Sequence, residues 1–276
     1  MNEQPLVSVL MTAYNREKYI APAIESVLSS TYRNFELIIV DDVSSDNTLQ
    51  IARSYADGDP RIRVYKNENN LGDYPNRNKA ASYATGKYIK YLDADDIIYY
   101  YGLSVMVDYL ERFPQAGFAL AAVVSNEKPF PICLEPRETY LENFQGYNHF
   151  DRAPSSSIIK RDAFNKIGGF SGARMIGDYE LWFRLARTFP MVKMPFDLYW
   201  NRVHEDQESR TEYAKQYPML RNQVLTAALD HPECPLSEAE LKMVKMTLKS
   251  KNRKFKLMEV LSKMNNRLKK QNQLLC

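Results

Sequence analysis

The sequence contains no hydrophobic run long enough to cross a membrane. The longest apolar stretch, Ala116–Val124, has nine residues, whereas a membrane-spanning helix needs about 20. The first five residues, Met1–Pro5, are polar and carry no apolar core of a signal peptide. These absences argue against a membrane-spanning or secreted protein, and we expect a cytoplasmic one.

Cysteine and histidine are scarce, at three residues each. Cys133, Cys234 and Cys276 are odd in number and form neither a Cys-x-x-Cys pair nor a Cys/His spacing. Disulfide frameworks need paired cysteines and structural zinc sites need such spacings, so the sequence predicts neither. Aromatic residues make up 12% of the chain and charged residues 26%, which excludes a disordered or collagen-like protein.

Basic residues outnumber acidic ones only near the end of the chain. The segment Lys242–Lys270 holds 11 Lys/Arg and a single acid, Glu259, whereas residues 1–241 carry a net charge of −7. A general nucleic-acid-binding protein would spread Lys and Arg over its folded surface. We therefore expect no nucleic-acid partner, and the net charge of +3 is an average of an acidic body and a basic tail.

The first half alternates apolar segments with amphipathic ones. Near-continuous apolar strands that alternate with helices predict a parallel sheet covered by helices on both faces, and hence an α/β protein. The predicted strands are Leu6–Thr12, Phe35–Asp41, Ile62–Tyr65 and Tyr88–Leu92, and the predicted helices are Tyr19–Ser29, Asn47–Tyr55 and Pro75–Ala84.

Polar residues follow several of these strands. They read TAYN at 12–15, DD at 41–42 and DADD at 93–96. Ligands of parallel sheets bind at the carboxyl ends of the strands, so these residues are candidates for a binding site. A lone Asp-x-Asp is a weak signal, and DGD at 57–59 indicates a turn, but Asp93-Ala94-Asp95 directly follows an apolar strand.

The second half is less periodic. Residues 125–154 predict an irregular wall of the site, and 156–159 and 161–167 a strand and a short helix. Residues 175–187 predict a helix that starts near Asp178, followed by strands at 191–196 and 198–203 and a polar loop at 204–210. Helices at 212–229 and 237–270 complete the chain, which we divide into a domain at 1–210 and a helical extension at 211–276.

Four segments together resemble the inverting family 2 glycosyltransferases with the GT-A fold. They are VSVLMTAYNREKYI (7–20), FELIIVDDVSSDNT (35–48), NLGDYPNRNKAASYATGKYIKYLDADD (70–96) and GGFSGARMIGDYELWFRL (168–185). The resemblance covers about residues 5–210 and implies a GT-A, Rossmann-like mixed sheet flanked by helices. It also implies an enzyme that transfers a sugar from a nucleoside-diphosphate donor to a hydroxyl.

The resemblance assigns donor and metal roles to individual residues. The nucleotide-binding set it implies is Thr12, Ala13, Tyr14, Asn15, Arg16, Asp42, Arg77, Asn78, Asp93 and Ala94. Tyr14 would pack on the base and Asp42 would accept a hydrogen bond from its ring NH. Asp95, with Asp93 and His204, would hold Mn²⁺ or Mg²⁺, ions that prefer oxygen ligands and bind few protein groups beside phosphates.

The resemblance also assigns the catalytic base and an acceptor contact. Asp178 would deprotonate the acceptor hydroxyl, and its place near a helix start predicts that the helix dipole keeps it ionised. Gly177 and Trp182 would contact the acceptor, although core packing is an equal alternative for Trp182. Many relatives have an acidic residue where this chain has Gly177.

Two further features bear on the reaction. The QxxRW motif of processive synthases is missing, since residues 207–211 read QESRT, which favours the addition of a single sugar. The weaker alternatives are a sugar-nucleotide nucleotidylyltransferase, disfavoured because no glycine-rich loop follows the first strand, and a non-catalytic GT-A scaffold or sugar-binding protein, disfavoured because Asp95 and Asp178 are present.

Donor, acceptor and tail are predicted only by class. A UDP-hexose or UDP-N-acetylhexosamine is the expected donor, and a glycan such as a lipid-linked polysaccharide repeat is the expected acceptor. Ser237 and Glu240 form a capping-box pattern before an amphipathic, basic stripe. The stripe at 237–276 predicts contact with the anionic inner face of a membrane, or alternatively packing on the body or a homodimer seam.

Overall fold

The computed structural model describes residues 4–122, 128–205, 207 and 212–250. The chain divides into two compact units, Met1–Glu233 and Cys234–Cys276. The first unit contains the sheet, and the second contains a helix over residues 238–250.

The first half forms the parallel part of the sheet, as the apolar pattern predicts. Four strands lie side by side in the order β3-β2-β1-β4, and each pair of neighbours is parallel. Their side chains are mostly buried because helices cover both faces. The elements are β1 (Val7–Ala13), α1 (Ile20–Leu28), β2 (Phe35–Asp41), α2 (Thr48–Gly58), β3 (Ile62–Lys66), α3 (Asp73–Ser82) and β4 (Tyr88–Tyr91).

The second half extends the sheet with strands of both directions. A strand from late in the sequence, β8, inserts antiparallel between β4 and β6, and the full order is β3-β2-β1-β4-β8-β6-β9-β7. The expected mixed sheet flanked by helices is confirmed. The elements are β5 (Ile97–Ile98), α4 (Gly102–Glu111), β6 (Phe118–Ala121), β7 (Ile132–Leu134), α5 (Pro136–Glu142), β8 (Ser157–Lys160), α6 (Arg161–Lys166), α7 (Gly177–Thr188), β9 (Met191–Met194), β10 (Tyr199–Trp200) and α8 (Tyr217–Asp230).

The strand predicted at 198–203 is much shorter than expected. Only β10 (Tyr199–Trp200) is regular, and it pairs with β5 in a separate two-stranded sheet. From Asn201 onward the chain bonds instead to residues 93–96 after β4, which we call the acidic loop. The amide of Asn201 and the backbone N–H of Arg202 both donate to Asp96 of this loop. The Asp96 carboxylate therefore accepts hydrogen bonds where a neighbouring strand would otherwise pair.

The segment predicted to be irregular, 125–154, contains regular structure in its described part. It holds β7, α5 and a π-helical turn at Asn143–Tyr147. Helix α5 begins with Pro136 in its first turn and a capping box between Glu135 and Glu138. Both are sequence signals of a helix start, but the segment lacked the apolar periodicity that would have predicted a helix. A short helix of seven residues shows little periodicity to detect.

In the second unit, the capping box at the start of the last helix is confirmed. Ser237 N–H donates to the Glu240 carboxylate at 2.9 Å, and Glu240 N–H donates to the Ser237 hydroxyl at 3.4 Å. The predicted continuation of this helix past residue 250 lies outside the described residues. Within the part of the chain that is described, none of the helices has the length and apolar character to cross a membrane.

Candidate active site

The acidic loop after β4 joins two distant parts of the chain at the carboxyl edge of the sheet. One carboxylate oxygen of Asp95 accepts hydrogen bonds from Arg16 Nε and from His204 Nε2, each at 2.9 Å. The three side chains are largely buried, at 14% exposure for Asp95, 23% for Arg16 and 7% for His204. The structure thus brings together three residues that the sequence assigned to the donor and metal site.

Asp93 faces a different partner. Its carboxylate lies 2.7 Å from Arg77 Nη1, and Arg77 Nε donates to Asp73 at 2.8 Å. Burial acts to lower the pKa of Arg77, but the charges of Asp73 and Asp93 outweigh it and raise that pKa well above its usual value. Arg77 is therefore a permanent cation that fixes the first aspartate of the Asp-x-Asp motif.

Asp96 is a buried carboxylate that connects the acidic loop to the segment after β10. It is 1% exposed and accepts from the backbone N–H of Arg202 at 3.1 Å and from the Asn201 amide at 3.2 Å. Burial, with the charges of Asp93 and Asp95, raises the pKa of its carboxyl. Because Arg202 is two residues before His204, the hydrogen bond from Arg202 to Asp96 helps to position the histidine against Asp95.

A buried lysine lies beneath the acidic loop. Lys90 is fully buried on β4, and its ammonium donates to the backbone carbonyl of Ser155. The Ser155 hydroxyl in turn accepts from the backbone N–H of Asp93 at 3.1 Å. Burial lowers the pKa of Lys90 to about 7, against the opposing charges of Asp96 and Asp93.

Aromatic rings hold the histidine and a nearby cation. The ring of Tyr19 lies 4.6 Å from that of His204. The guanidinium of Arg202 lies 5.2 Å from the Tyr19 ring and 5.1 Å from the Trp200 ring, and its Nε donates to the carbonyl of Asp95 at 2.9 Å. The sequence predicted a polar loop at 204–210, and the structure adds the cation of Arg202 beside the acidic motif.

The loop after β1 is tied to the loop after β2. Asn15 N–H donates to the Ser44 hydroxyl at 3.0 Å, and Asn15 Oδ1 accepts from Ser45 N–H at 2.9 Å. Asn15 has a φ of 52° and Val43 a φ of 65°, and a left-handed β-branched residue such as Val43 marks strain that surrounding structure must offset. Tyr14 projects from this loop with 49% of its surface exposed, so about half of the side chain is accessible to a ligand.

Thr12, Ala13 and Ala94 form the floor of this edge. Thr12 and Ala13 are the last residues of β1 and pair in register with Val40 and Asp41 of β2. Ala13 and Ala94 are each 2% exposed, so they can contribute to a binding surface at this edge of the sheet through the backbone rather than through side chains.

Asp42 is largely occupied within the protein. Its carboxylate accepts hydrogen bonds from the Asn67 amide at 2.7 Å and from the backbone N–H groups of Leu71 and Gly72 at 2.8 and 2.9 Å. The side chain is 3% exposed. Asp42 thus orders the loop before α3, and a carboxylate with about four acceptor positions has one left.

Asp178 lies in the first turn of α7, beside a buried tyrosine. The phenol of Tyr74 donates to the Asp178 carboxylate, and Tyr179 N–H donates to Asp178 Oδ1 at 2.7 Å. Burial raises the pKa of Asp178 to about 7, although these hydrogen bonds oppose the rise. The expectation that the helix dipole keeps Asp178 ionised is therefore corrected: burial outweighs the helix N-terminus, and the carboxyl titrates near neutrality.

Gly177 leaves space for that tyrosine. A Cβ at Gly177 would lie 2.8 Å from Cδ2 of the Tyr74 ring, closer than real contacts allow. The Tyr74 ring therefore occupies the volume that any side chain at position 177 would need.

Trp182 and Asn78 both form hydrogen bonds within the protein. Trp182 is fully buried, its ring is parallel to Phe118 at 6.2 Å, and its indole N–H donates to the carbonyl of Arg152 at 2.8 Å. This position favours the core-packing alternative for Trp182. Asn78 exchanges two hydrogen bonds with the backbone of Phe170, at 2.8 and 2.9 Å, and so fixes the turn that precedes α7.

Asp95 and His204 are suited to hold a divalent cation. A carboxylate oxygen and an imidazole nitrogen meet at 2.9 Å at the strand edge, and they supply the oxygen and nitrogen ligands that Mn²⁺ accepts. Among the described residues, no group of three or more His, Cys, Asp and Glu side chains encloses an ion site. The remaining ligands would have to come from phosphate and water, as is usual for Mg²⁺.

Sequence reasoning gave no role to several residues that the structure places in the site. Tyr74, Asp73 and Asp96 connect the predicted residues to one another. All three stand inside the segment 70–96 that carried the resemblance. Their adjacency to predicted residues was the available signal, but their function depends on contacts with distant segments.

Comparison with known proteins agrees with this geometry. The family model "Glycosyl transferase family 2" matches residues 8–168. The chain is 43% identical over 250 residues to EpsE of Bacillus subtilis, which is named as a glycosyltransferase, and the match covers 86% of this chain and 87% of EpsE.

Two solved structures share the fold. Residues 1–349 of S. aureus TarS in complex with UDP-GlcNAc superimpose with a TM-score of 0.67 at 20% identity, covering 86% of this chain and 70% of that one; the chain spans 42% of a longer TarS chain. A mannosyltransferase of Pyrobaculum calidifontis in complex with GDP-Man and Mn²⁺ gives a TM-score of 0.62 at 18% identity, covering 90% of this chain and 75% of that one. The chain therefore belongs to glycosyltransferase family 2 and is a glycosyltransferase with the GT-A fold.

Proposed function

We propose that this enzyme is metal-dependent and inverting, and that it transfers one sugar from a UDP-hexose or UDP-N-acetylhexosamine to a hydroxyl of a glycan. The observation that carries the proposal is a chain of contacts from Asp178 to the acidic motif. Tyr74 binds Asp178, its neighbour Asp73 binds Arg77, and Arg77 binds Asp93. A candidate base and a candidate donor site are thus held in one rigid arrangement.

The donor would bind across the ends of β1 and β2. The exposed ring of Tyr14 provides a face for the base, and the remaining acceptor position of Asp42 suits the ring NH of uracil. Support for UDP comes from the TarS complex with UDP-GlcNAc, and the GDP-Man complex of the mannosyltransferase is the competing precedent.

Asp95 and His204 would hold Mn²⁺ or Mg²⁺ at the diphosphate. The bound ion would neutralise negative charge on the departing nucleoside diphosphate. Arg16 and His204 both contact the Asp95 oxygen that would bind the ion. Asp93, held by Arg77, would contact the donor ribose.

Asp178 would take the proton of the acceptor hydroxyl. A base needs a pKa near the working pH, and burial places the pKa of Asp178 at about 7. The hydroxyl oxygen would then attack the anomeric carbon from the face opposite the nucleoside diphosphate, and the bond from that carbon to the diphosphate oxygen would break. A single displacement of this kind inverts the anomeric configuration.

A panel of nucleotide sugars tests the donor assignment. We expect a UDP-sugar to raise the melting temperature in the presence of Mn²⁺, and the donor that does so to be hydrolysed slowly in the absence of acceptor. Asp95→Ala should abolish both effects, whereas Asp108→Ala, an exposed carboxylate on α4, should not. Equal stabilisation by UDP-sugars in Asp95→Ala would refute the metal site.

The acceptor and the location of the enzyme are also proposed. A lipid-linked polysaccharide repeat fits the family resemblance, and the basic stripe at 237–276 would hold the enzyme at the cytoplasmic face of an anionic membrane, at about 1 kcal/mol per basic residue near the surface. Deletion of residues 237–276 should then abolish co-sedimentation with anionic vesicles, with neutral vesicles as control. Unchanged co-sedimentation would refute this role, and a loss of dimer on size exclusion would support a dimer seam instead.

A further inference from the structure

A second group of side chains lies close to the helix that carries Asp178. The guanidinium of Arg221 on α8 meets the carboxylate of Asp151 through two hydrogen bonds, Nε to Oδ1 and Nη2 to Oδ2, each at 3.2 Å. The phenol of Tyr217 donates to Asp151 Oδ1 at 3.3 Å. These contacts join α8 to the segment before β8.

The group is anchored directly on the helix that carries the base. The guanidinium of Arg221 lies 5.0 Å from the centre of the Tyr179 ring, and Tyr179 is the residue after Asp178. Burial raises the pKa of Tyr217, and the charges of Asp151 and Asp178 add to the rise, as expected of a phenol close to both carboxylates. Asp151, Tyr217 and Arg221 therefore lie close to the first turn of α7, which carries Asp178.

This group is open to a ligand. About a third of Arg221 and of Asp151 is exposed, at 30% and 33%. Tyr213 adds an exposed ring nearby along the chain, with 46% of its surface accessible, and the guanidinium of Arg174 lies 3.9 Å from its centre. The donors of Arg221 and the acceptor oxygens of Asp151 are thus held in a fixed orientation at a partly exposed surface.

We propose that Asp151, Tyr217 and Arg221 form an acceptor subsite for a neutral pyranose with two adjacent hydroxyls. Each sugar hydroxyl both donates and accepts a hydrogen bond, and the paired carboxylate and guanidinium offer an acceptor and donors side by side. An anionic sugar fits less well because the charge of Arg221 is already paired with Asp151, and Asp178 is a second carboxylate close to Tyr217. The inference rests on the proposed function, since it makes Asp178 the base for the hydroxyl held here.

The test measures acceptor-side and nucleotide-side binding separately. Saturation-transfer NMR in the presence of UDP and Mn²⁺ would use the p-nitrophenyl glycosides of glucose, galactose, mannose, N-acetylglucosamine and glucuronic acid as probes. We expect at least one neutral glycoside to bind and the glucuronide to bind at least about fivefold more weakly. Arg221→Met and Asp151→Asn should weaken the neutral glycoside by about tenfold, the loss expected when a hydrogen bond to a charged group is removed.

A matched control is available at the other end of the sheet. Arg61 makes a two-point contact with Asp59, at 3.0 and 2.6 Å, and lies 4.3 Å from the Phe35 ring. Arg61→Met should cost a similar amount of stability and leave glycoside binding unchanged. The UDP-induced shift in melting temperature should be the same in all variants.

Three results would overturn the subsite. They are unchanged glycoside binding in Arg221→Met, glucuronide binding as strong as that of the neutral glycosides, and the absence of binding by every neutral glycoside to the wild type. A failure of UDP itself to bind would instead refute the proposed donor function, so the two failures are distinguishable.

Discussion

At the scale of single residues, the site depends on a carboxyl whose titration has been moved toward neutrality. Asp178 is a first-turn helix residue, which by itself predicts an ionised acid. Burial reverses that tendency and raises its pKa to about 7, and the phenol of Tyr74 limits the rise through its hydrogen bond. Two predictions follow from the direction of these effects.

Removal of the Tyr74 hydroxyl should shift the pH dependence of transfer. Activity should rise with pH through about 7 as Asp178 loses its proton. In Tyr74→Phe the carboxylate loses a hydrogen bond that stabilises its charge, so this limb should move to higher pH. A profile of kcat/KM against pH measures the shift, with Tyr83→Phe at the end of α3 as control; an unmoved limb in Tyr74→Phe would count against Asp178 as the titrating group.

The same carboxyl should link stability to pH. Its pKa is raised from 3.8 to about 7 on folding, so the folded state binds a proton that the unfolded state releases between these values. The wild type should therefore lose stability relative to Asp178→Asn as pH rises from about 4 through 7, and keep a constant difference above. Thermal melts across this range would show a constant difference throughout if the carboxyl were not perturbed.

At the scale of elements, short contacts between loops position the groups that strands and helices deliver. Helix α7 begins at Gly177, where the Tyr74 ring of α3 leaves no space for a side chain. The segment after β10 is held to the acidic loop by Asp96. Each contact can be tested by a substitution with a control elsewhere.

Gly177→Ala should disturb the α3–α7 contact. The new Cβ would lie 2.8 Å from the Tyr74 ring, so the ring must move away from Asp178. We expect a loss of about 1–3 kcal/mol in the free energy of unfolding, as for other overpacked sites, and a marked fall in transfer activity. Gly58→Ala, where a Cβ would meet nothing within 4 Å, should be neutral; equal effects of the two substitutions would contradict this reading of Gly177.

Asp96→Ala should release the segment that carries His204. It removes the acceptor of the Asn201 amide and of the Arg202 N–H, and supporting residues of this kind typically contribute about 10–100-fold to metal affinity. Titration of Mn²⁺ by electron paramagnetic resonance should show weaker binding in Asp96→Ala and no change in Asp108→Ala. Unaltered Mn²⁺ binding would show that Asp96 does not position His204.

At the scale of the whole molecule, the first half could be predicted from sequence and the second half only in outline. The strands through Tyr91 are continuous apolar runs that end in polar residues, so periodicity and strand-end chemistry predicted Asp42, Asp93 and Asp95 at the carboxyl ends of strands. In the second half β10 has two residues and β7 three, which is too short for a period to show. The insertion of β8 between β4 and β6 is a long-range pairing that local pattern does not encode.

The residues of the proposed acceptor subsite were the hardest to predict. Helix α8 was assigned to an extension outside the transferase domain, yet it belongs to the first compact unit and brings Arg221 onto Tyr179. Asp151 and Arg221 are 70 residues apart, and no motif links them. Their contact becomes visible only once the fold is known.

The central claim is that Asp178 acts as the base for sugar transfer. The most direct test compares the transfer rate of Asp178→Asn with that of the wild type at saturating donor, with UDP affinity measured on both proteins. We predict a fall in the transfer rate of about 10²–10⁴-fold, the range for loss of a general base, with UDP affinity unchanged. A transfer rate in Asp178→Asn that stays close to that of the wild type would contradict the account.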